Sequence, residues 1–410
     1  MRFCIVYPYL RWLLGKPCGG AEKQVGLLAQ HLVRRGHDVT FVALEYRGHE
    51  TEIGGVHIRR GREEGGSGGW LRAATRGLPS LERTIAEIGA DLYYVRGAQA
   101  ASRWVISAAH ALGAPALVGL ASDRNLRPQC GRALVPLGRG PLGGVTGYAA
   151  WLLLQRPALR AADAIIVQNE EQASRCSRMG LPHLLVPSIV EPPPRDLLES
   201  EADYDVVWAA NVHTVGRRGK GVEPLLALVR TLPEVRFAVV GALTAASLGA
   251  VLADLREAPN VDLLGSLGYG QAQALLARSR LVLNTSRAEG FSNVMLEGWA
   301  LGRPSVTLSV NPSGLLAERR WPSSDPQGRA GREALGACAG GDLRVLSRLV
   351  GEALGDEAAL RSVGRRCRAY VAQVHDADVV CARYEDLAAA PRCTPRGDLP
   401  IQEGDTGSPG

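Results

Sequence analysis

This sequence predicts two doubly wound, Rossmann-like α/β domains facing each other across a cleft. Three observations carry that reading. Apolar, β-rich runs alternate with helix-period stretches through the first half, the alternation stops at a proline- and acid-rich segment, and it then starts again. A chain of 410 residues has room for two such domains. Its 46% hydrophobic and 21% charged content suits globular folding and excludes global disorder.

In the first half the strand candidates are residues 3–7, 39–44, 92–95, 116–119, 164–167 and 184–186. Between the first two lies "AEKQVGLLAQHLVRRG", where Val25, Leu28, Ala29 and Leu32 make one helical stripe and Gly36 ends it. "SIVEPPPRDLLESEADYD" has three prolines, six acidic residues and little periodicity, and it reads as a linker. Strand candidates resume at 205–209, 237–240, 261–264, 281–284 and 305–308, with helix patterns between them. The resulting division is a first domain over 1–190, a linker over 191–204 and a second domain over 205–372. The final stretch, 391–410, is polar, rich in glycine and proline, and expected to be disordered. In sheets of this kind ligands bind beyond the carboxyl ends of the strands, so the expected site is the cleft.

Composition narrows the partners. A net charge of +6 and a pI near 9.0 suit anionic ligands such as a nucleotide or a membrane surface. The excess is spread along the chain without a basic run, and aromatic residues make up only 5%, so nucleic acid is not an expected partner. The eight cysteines show no C-x-x-C and no zinc spacing, which fits a reduced, cytoplasmic setting. Pro8 and Arg11 cut short the apolar run that could imitate a signal peptide. No stretch approaches the roughly 20 apolar residues of a spanning helix.

Three strand-to-helix loops carry candidate chemistry. "EGFSNVMLEGWALGRPSV", residues 289–306, follows the strand at 281–284 and opens a helix near Ser292. The first N–H groups of a helix lack internal partners and carry positive character, so Phe291, Ser292 and Asn293 could hold a phosphate or a sugar hydroxyl. Glu297, about a turn inside, can accept from a ribose diol, and Glu289 faces the same space. The alternative is that both carboxylates simply favour a helix amino end, although Met295 three residues after Ser292 rules out a capping box. The second loop, "AANVHTVGRRGKG", sets Arg217, Arg218 and Lys220 among glycines and suits a diphosphate. The chain has only three lysines, Lys16, Lys23 and Lys220, all in or just after such loops. The third loop, "GKPCGGAEKQV", places Gly19 and Gly20 where backbone can approach a ligand from the opposite domain.

Together these loops resemble the retaining, nucleotide-sugar-dependent glycosyltransferases of the GT-B fold, in the large fourth family of the sequence classification. The resemblance reaches to about residue 390, and its most specific element is the E-x7-E signature matched by Glu289 and Glu297. "GGAEKQV" resembles the family's first glycine loop and "ADAIIVQNEEQ" the last strand of its acceptor domain. "GRRCRAYVAQVHDADVVCARYEDL" resembles its C-terminal helices, which implies that the last one, within 373–390, returns to the first domain. The resemblance implies that Glu289 lies beside the donor sugar and that the backbone of Gly290, Phe291, Ser292 and Asn293 holds sugar hydroxyls and phosphate. It gives the ribose to Glu297 and the leaving diphosphate to Lys220.

The donor is a substrate, a nucleotide-diphosphate sugar, and no cofactor and no metal is expected. The available Asp-x-Asp pairs are poorly placed: the Asp203–Asp205 pair runs into the start of a strand instead of following its end, and Asp376 and Asp378 lie among helices. Two positions depart from the family pattern. Asn211 stands where an arginine is frequent, leaving Arg217 or Arg218 to serve, and Gly119 stands where a histidine is common, with Ser122 and Asp123 nearby. A catalytically degenerate scaffold that binds a nucleotide sugar or glycan is therefore the second reading. A GT-B epimerase is a third, and it leaves the E-x7-E helix unexplained. The acceptor is read as a glycan, a lipid-linked molecule or a small molecule. Segment 128–160 has four arginines, no acidic residue and an apolar centre at 148–154 that includes Trp151. It is either a helix packed beneath the acceptor site or a peripheral contact with an anionic membrane at its cytoplasmic face.

Overall fold

A computed structural model describes residues 1–61, 79–97, 101–126, 155–210, 212, 217–243, 249–322 and 333–390. Segment 128–154, Asn211 and the 391–410 tail lie outside the described residues, as do the side chains of Asp123, Arg217 and Arg218.

The first sheet has eight strands: β1 Arg2–Tyr7, β2 Asp38–Ala43, β3 Thr51–Ile53, β4 Val56–Arg60, β5 Leu92–Arg96, β6 Ala116–Gly119, β7 Ala164–Val167 and β8 His183–Leu185. Their order is β3-β4-β2-β1-β5-β6-β7-β8, parallel except for the β3–β4 pair. Helix α1, Gly20–Arg34, packs on one face against Phe3, Ile5, Phe41 and Tyr94. Helices α2 Pro79–Ile88, α3 Ser102–Ala111 and α4 Arg156–Ala161 cover the other face, over Cys4, Tyr93, Val118 and Ile165. Helix α5, Glu170–Arg178, leads from β7 to β8. Sandwiching on both faces explains why these strands read as continuous apolar runs.

The β3–β4 hairpin was not legible beforehand. Gly54 and Gly55 both have positive φ, 58° and 80°, as a tight two-residue hairpin turn requires. The flanking strands form an edge whose side chains are mostly exposed or half-buried, so they carry little apolar signal.

One helical turn, α6 Arg195–Leu198, interrupts the segment expected to be irregular. The second sheet then begins, with β9 Tyr204–Ala209, β10 Phe237–Val240, β11 Val261–Gly265, β12 Ser279–Asn284, β13 Ser305–Thr307, β14 Ala317–Glu318 and β15 Gly336–Cys338. Its order is β11-β10-β9-β12-β13-β15-β14. Between the strands run α7 Arg217–Lys220, α8 Val222–Thr231, α9 Ala250–Glu257, α10 Tyr269–Ala277 and α11 Asn293–Ala300. Trp208, Phe237 and Val239 pack under α8, α9 and α12, Leu343–Gly355, while Val207 and Val282 face α10, α11 and α13, Glu357–Val374. Strands β14 and β15, two and three residues long, are too short to show periodicity. The doubly wound expectation holds for both sheets. Among the described residues no helix is long and apolar enough to cross a membrane.

The last helix, α14 Ala377–Ala389, leaves the second sheet and packs on α1 and the first sheet through Ala377, Val380, Cys381 and Tyr384. Arg35 grips Glu385 with two hydrogen bonds of 2.6 and 2.8 Å, and His37 meets the same carboxylate at 2.7 Å. The Arg35 contact first, and the His37 contact with it, hold the Glu385 carboxyl down at about 2. Where α13 gives way to α14, His375 is 1% exposed and its Nδ1 donates to the Ser188 carbonyl at 2.7 Å. The ring stands edge-on to Phe291, with centroids 5.3 Å apart.

Burial pushes the His375 imidazole down from 6.5 to about 4, against the Ser188 hydrogen bond. Between those two pH values the unfolded chain binds a proton that the folded chain refuses. Stability is therefore complete above about pH 6.5 and falls as pH drops through 4. In thermal melts between pH 7 and 4, His375→Gln should lose less of its Tm than the wild type. An equal acid-side loss in both proteins would assign the sensitivity elsewhere.

Candidate active site

In the second sheet the strand order reverses between β9 and β12, and the loops after these two strands meet at the carboxyl edge. That switch point is where a doubly wound sheet offers a crevice. The loops are tied together by a short chain of hydrogen bonds. Trp208 Nε1 donates to Thr285 Oγ1 at 2.8 Å, Thr285 Oγ1 donates to the Lys220 carbonyl at 3.0 Å, and Arg287 N donates to the Gly219 carbonyl at 3.2 Å. Gly221 makes this closeness feasible. Its φ is 69°, and a Cβ there would lie 2.0 Å from the Thr285 carbonyl oxygen.

Lys220 is thereby aimed at the mouth of α11. Its Nζ reaches Glu289 Oε1 at 2.5 Å, and Ser286 Oγ donates to the same oxygen at 2.8 Å. Ser292 is the N-cap of α11 and its side chain makes no capping bond. Among the described residues nothing accepts from the N–H groups of Phe291, Ser292 and Asn293. These donors and a lysine converge on one space, which suits an anion with several oxygens.

Glu297, one turn inside α11, is 9% exposed and faces the other half of the protein. Lys23 of α1, 6% exposed, meets it at 2.6 Å. The Lys23 ammonium lies 4.0 Å from the centre of the Tyr269 ring and 5.4 Å from that of Trp12, and the two rings are themselves edge-to-face. Gln24 donates to the Ile189 carbonyl at 2.9 Å and to Asn293 Oδ1 at 3.0 Å. Asn169, which caps α5 with its Oδ1, donates through Nδ2 to the Gly290 carbonyl at 2.6 Å. Neither signature glutamate caps the helix, since each is engaged by a lysine.

The sequence-selected residues thus fall in two groups. Glu289, Lys220, Gly290, Phe291, Ser292, Asn293 and Glu297 share the α11 mouth. Phe291 differs from the others in direction, because its ring is 8% exposed and packs on Trp299 and His375. Gly20 comes from the opposite half and abuts the Asn293 side chain, where a Cβ would lie 2.3 Å from Nδ2. Gly19 is the N-cap of α1 and has open space in front of it. The backbone of Arg217 and Arg218 belongs to α7. Asp205 sits at the amino end of β9, paired with Arg280 at 3.0 Å, and Asp376 caps α14, so neither Asp-x-Asp pair belongs to this site. Sequence reasoning missed Tyr269, Trp12 and Asn169, and it noted Lys23 without giving it a partner. The scarcity of lysine was the one signal pointing to Lys23.

Removing one member of a buried ion pair strands the other. Lys23→Met should lower unfolding free energy by about 3 kcal/mol, and Lys23→Met with Glu297→Leu should recover most of it. Urea denaturation of the set measures this. A neutral single variant would mean that the pair contributes nothing to joining the halves.

Comparison with known proteins agrees with the two-domain α/β fold. Residues 19–189 match the family described as "Glycosyl transferase 4-like domain" and residues 205–321 match "Glycosyl transferases group 1". No curated protein matches in sequence. Among solved structures, sucrose-phosphate synthase from Thermosynechococcus elongatus superimposes with TM-score 0.70 at 17% identity, covering 94% of this chain and 98% of the other. TarM of S. aureus, in complex with fondaparinux, alpha-GlcNAc-glycerol and UDP, gives 0.68 at 9%, covering 95% and 100%. WaaG, a glycosyltransferase involved in lipopolysaccharide biosynthesis, gives 0.63 at 14%, covering 95% and 100%.

Proposed function

The chain belongs to the group 1 glycosyltransferases of the GT-B fold, and from that premise we propose that it transfers a sugar from a nucleoside diphosphate sugar to an acceptor hydroxyl with retention at the anomeric carbon. The observation that carries the proposal is the convergence of Lys220, Glu289 and the free N–H groups of α11 at the switch point of the second sheet. The diphosphate takes the place of Glu289 as partner of Lys220 and lies on the N–H groups of Gly290–Asn293. Glu289 is then released toward the sugar, and Glu297 receives the ribose diol. A UDP complex of TarM, a protein of the same fold, supports a nucleotide in this cleft.

In the retaining scheme the anomeric bond breaks as the diphosphate leaves from the front face, and the acceptor enters on that same face. Negative charge grows on the leaving oxygens, where Lys220 and the α11 dipole stabilise it. The departing phosphate takes the acceptor proton, so the scheme needs no histidine at position 119. The acceptor is a glycan, a lipid-linked molecule or a small molecule, and the contact of segment 128–160 with an anionic membrane belongs to the lipid-linked case. A cytoplasmic setting accords with six free cysteines among the described residues.

One observation favours a second reading, binding without turnover: Gly119 offers no side chain where the family commonly has histidine. Incubation with a panel of nucleotide sugars separates the two. Release of nucleoside diphosphate, with or without acceptor, supports the transferase, and saturable binding without release supports the scaffold.

Lys220→Ala should cost roughly 2–4 kcal/mol of transition-state stabilisation, about 30- to 1000-fold in kcat/KM, with little change in Tm. Near-normal kcat/KM would remove Lys220 from the chemistry. Glu289→Gln should mainly lower kcat, whereas Glu297→Gln should mainly raise the donor KM; full activity in both would return the glutamates to a structural role. Activity should also survive EDTA, and loss by chelation with recovery in Mn²⁺ or Mg²⁺ would replace Lys220 by a metal in this scheme.

A further inference from the structure

One buried cation takes no part on the donor side. Arg96 ends β5 at the carboxyl edge of the first sheet, at that sheet's own switch point, where β1 and β5 lie side by side and the strand order reverses. It is 6% exposed. Its Nη1 donates to the Tyr94 hydroxyl at 2.9 Å, and its enclosed Nε has no partner among the described residues. Among the described residues no carboxylate pairs with the guanidinium; the polar groups that bear on it are the hydroxyls of Tyr94, Tyr384 and Tyr7.

The surroundings are arranged to keep this cation in place. Gly119 ends the neighbouring strand β6, directly across from Arg96. A Cβ at Gly119 would lie 2.0 Å from the Tyr94 hydroxyl, so the missing side chain is what lets Tyr94 reach the strand ends and hold Arg96. Tyr94 is in turn braced edge-on by Tyr384 of α14, with ring centroids 5.3 Å apart. Gly97, with φ 84°, then turns the chain away and donates to the Gly119 carbonyl at 2.7 Å.

A buried guanidinium without a counter-charge is costly, and an apolar replacement at such a position is often neutral or stabilising. Stability alone therefore does not account for Arg96. Its place does. Gln168, just beyond β7, lies against Gly290 of the donor loop, since a Cβ on Gly290 would be 2.7 Å from Gln168 Oε1. In register Arg96 lies opposite Gly119 and, one strand further, Ile166, two residues short of Gln168, and two strand spacings put β5 and β7 about 10 Å apart. A sugar with a charged substituent, together with the Arg96 side chain, bridges that span.

We propose that Arg96 receives an anionic substituent of the acceptor, a carboxylate or a phosphate, so that the acceptor is an acidic or phosphorylated sugar and not a neutral one. This rests on the transferase reading above and adds the acceptor's charge to it. Gly119 then has a role of its own: it gives up a side chain so that the Tyr94–Arg96 pair can occupy the acceptor edge.

Equilibrium binding without donor tests this independently of turnover, so an inactive protein could still pass and an active one could fail. The full-length Lys220→Ala protein removes the donor-side cation that would also attract phosphate. Calorimetry on it compares D-glucose, D-glucuronate and D-glucose 6-phosphate, with inorganic phosphate as the simplest probe. At least one anionic sugar should bind about tenfold tighter than glucose, and Arg96→Gln in the same background should erase the difference. The sugar that wins tells carboxylate from phosphate. If neither anion outperforms glucose, or if Arg96→Gln leaves the preference intact, the proposal is wrong. Arg96→Met supplies the structural readout: an unchanged or raised Tm is expected, and a fall of about ten degrees would make Arg96 a structural residue and overturn the assignment.

Discussion

Two short ion pairs hold the mouth of α11, and the cleft takes its form from them. Lys220 engages Glu289 within the second sheet's own loops, while Lys23 engages Glu297 from across the cleft. These are two of only three lysines in a chain that otherwise uses arginine for positive charge. A lysine is a compact point charge on a flexible stem, able to exchange one anionic partner for another, whereas an arginine fork locks onto one carboxylate. That property suits Lys220, whose carboxylate partner gives way to a diphosphate in the proposed scheme.

The cross-cleft pair has a consequence for how the halves meet. Gln24, Asn169 and Gly20 all approach the same few residues, Gly290 to Asn293, that also present free N–H groups. The first half therefore shapes the donor loop directly. Behind this contact the chain crosses between halves twice, once near residues 188–205 and once at His375, and the two crossings touch where His375 donates to Ser188 and accepts from Val190. Phe291 packs on that same His375 ring. A shift between the halves and a shift of the donor loop are thus mechanically linked.

The architecture was legible because both sheets are buried on two faces, so their central strands appear as apolar runs that no surface helix imitates. The α11 mouth was legible too, because spacing fixes it: Glu289 and Glu297 flank a helix start, and Lys220 follows the first strand of the same sheet. Their partners were not. Lys23 and Glu297 are 274 residues apart, and nothing local in "GGAEKQV" says what Lys23 will meet. Tyr269 reads as an ordinary helix-start residue, and Arg96 as one more arginine among many. Gly119 shows the limit most clearly. Against the family pattern it looked like a lost histidine, and only the position of the Tyr94 hydroxyl reveals that the space is filled. Elements at the sheet margins escaped for another reason: the edge strands β3 and β14 and their neighbours β4 and β15 are short and carry little apolar surface.

The most direct test of the account is a crystal structure of the protein with a bound nucleoside diphosphate, with UDP and GDP both tried. The diphosphate should lie on Lys220 and the N–H groups of residues 290–293, with the ribose hydroxyls on Glu297. A nucleotide that bound elsewhere in the cleft, leaving the Lys220–Glu289 pair closed, would contradict it.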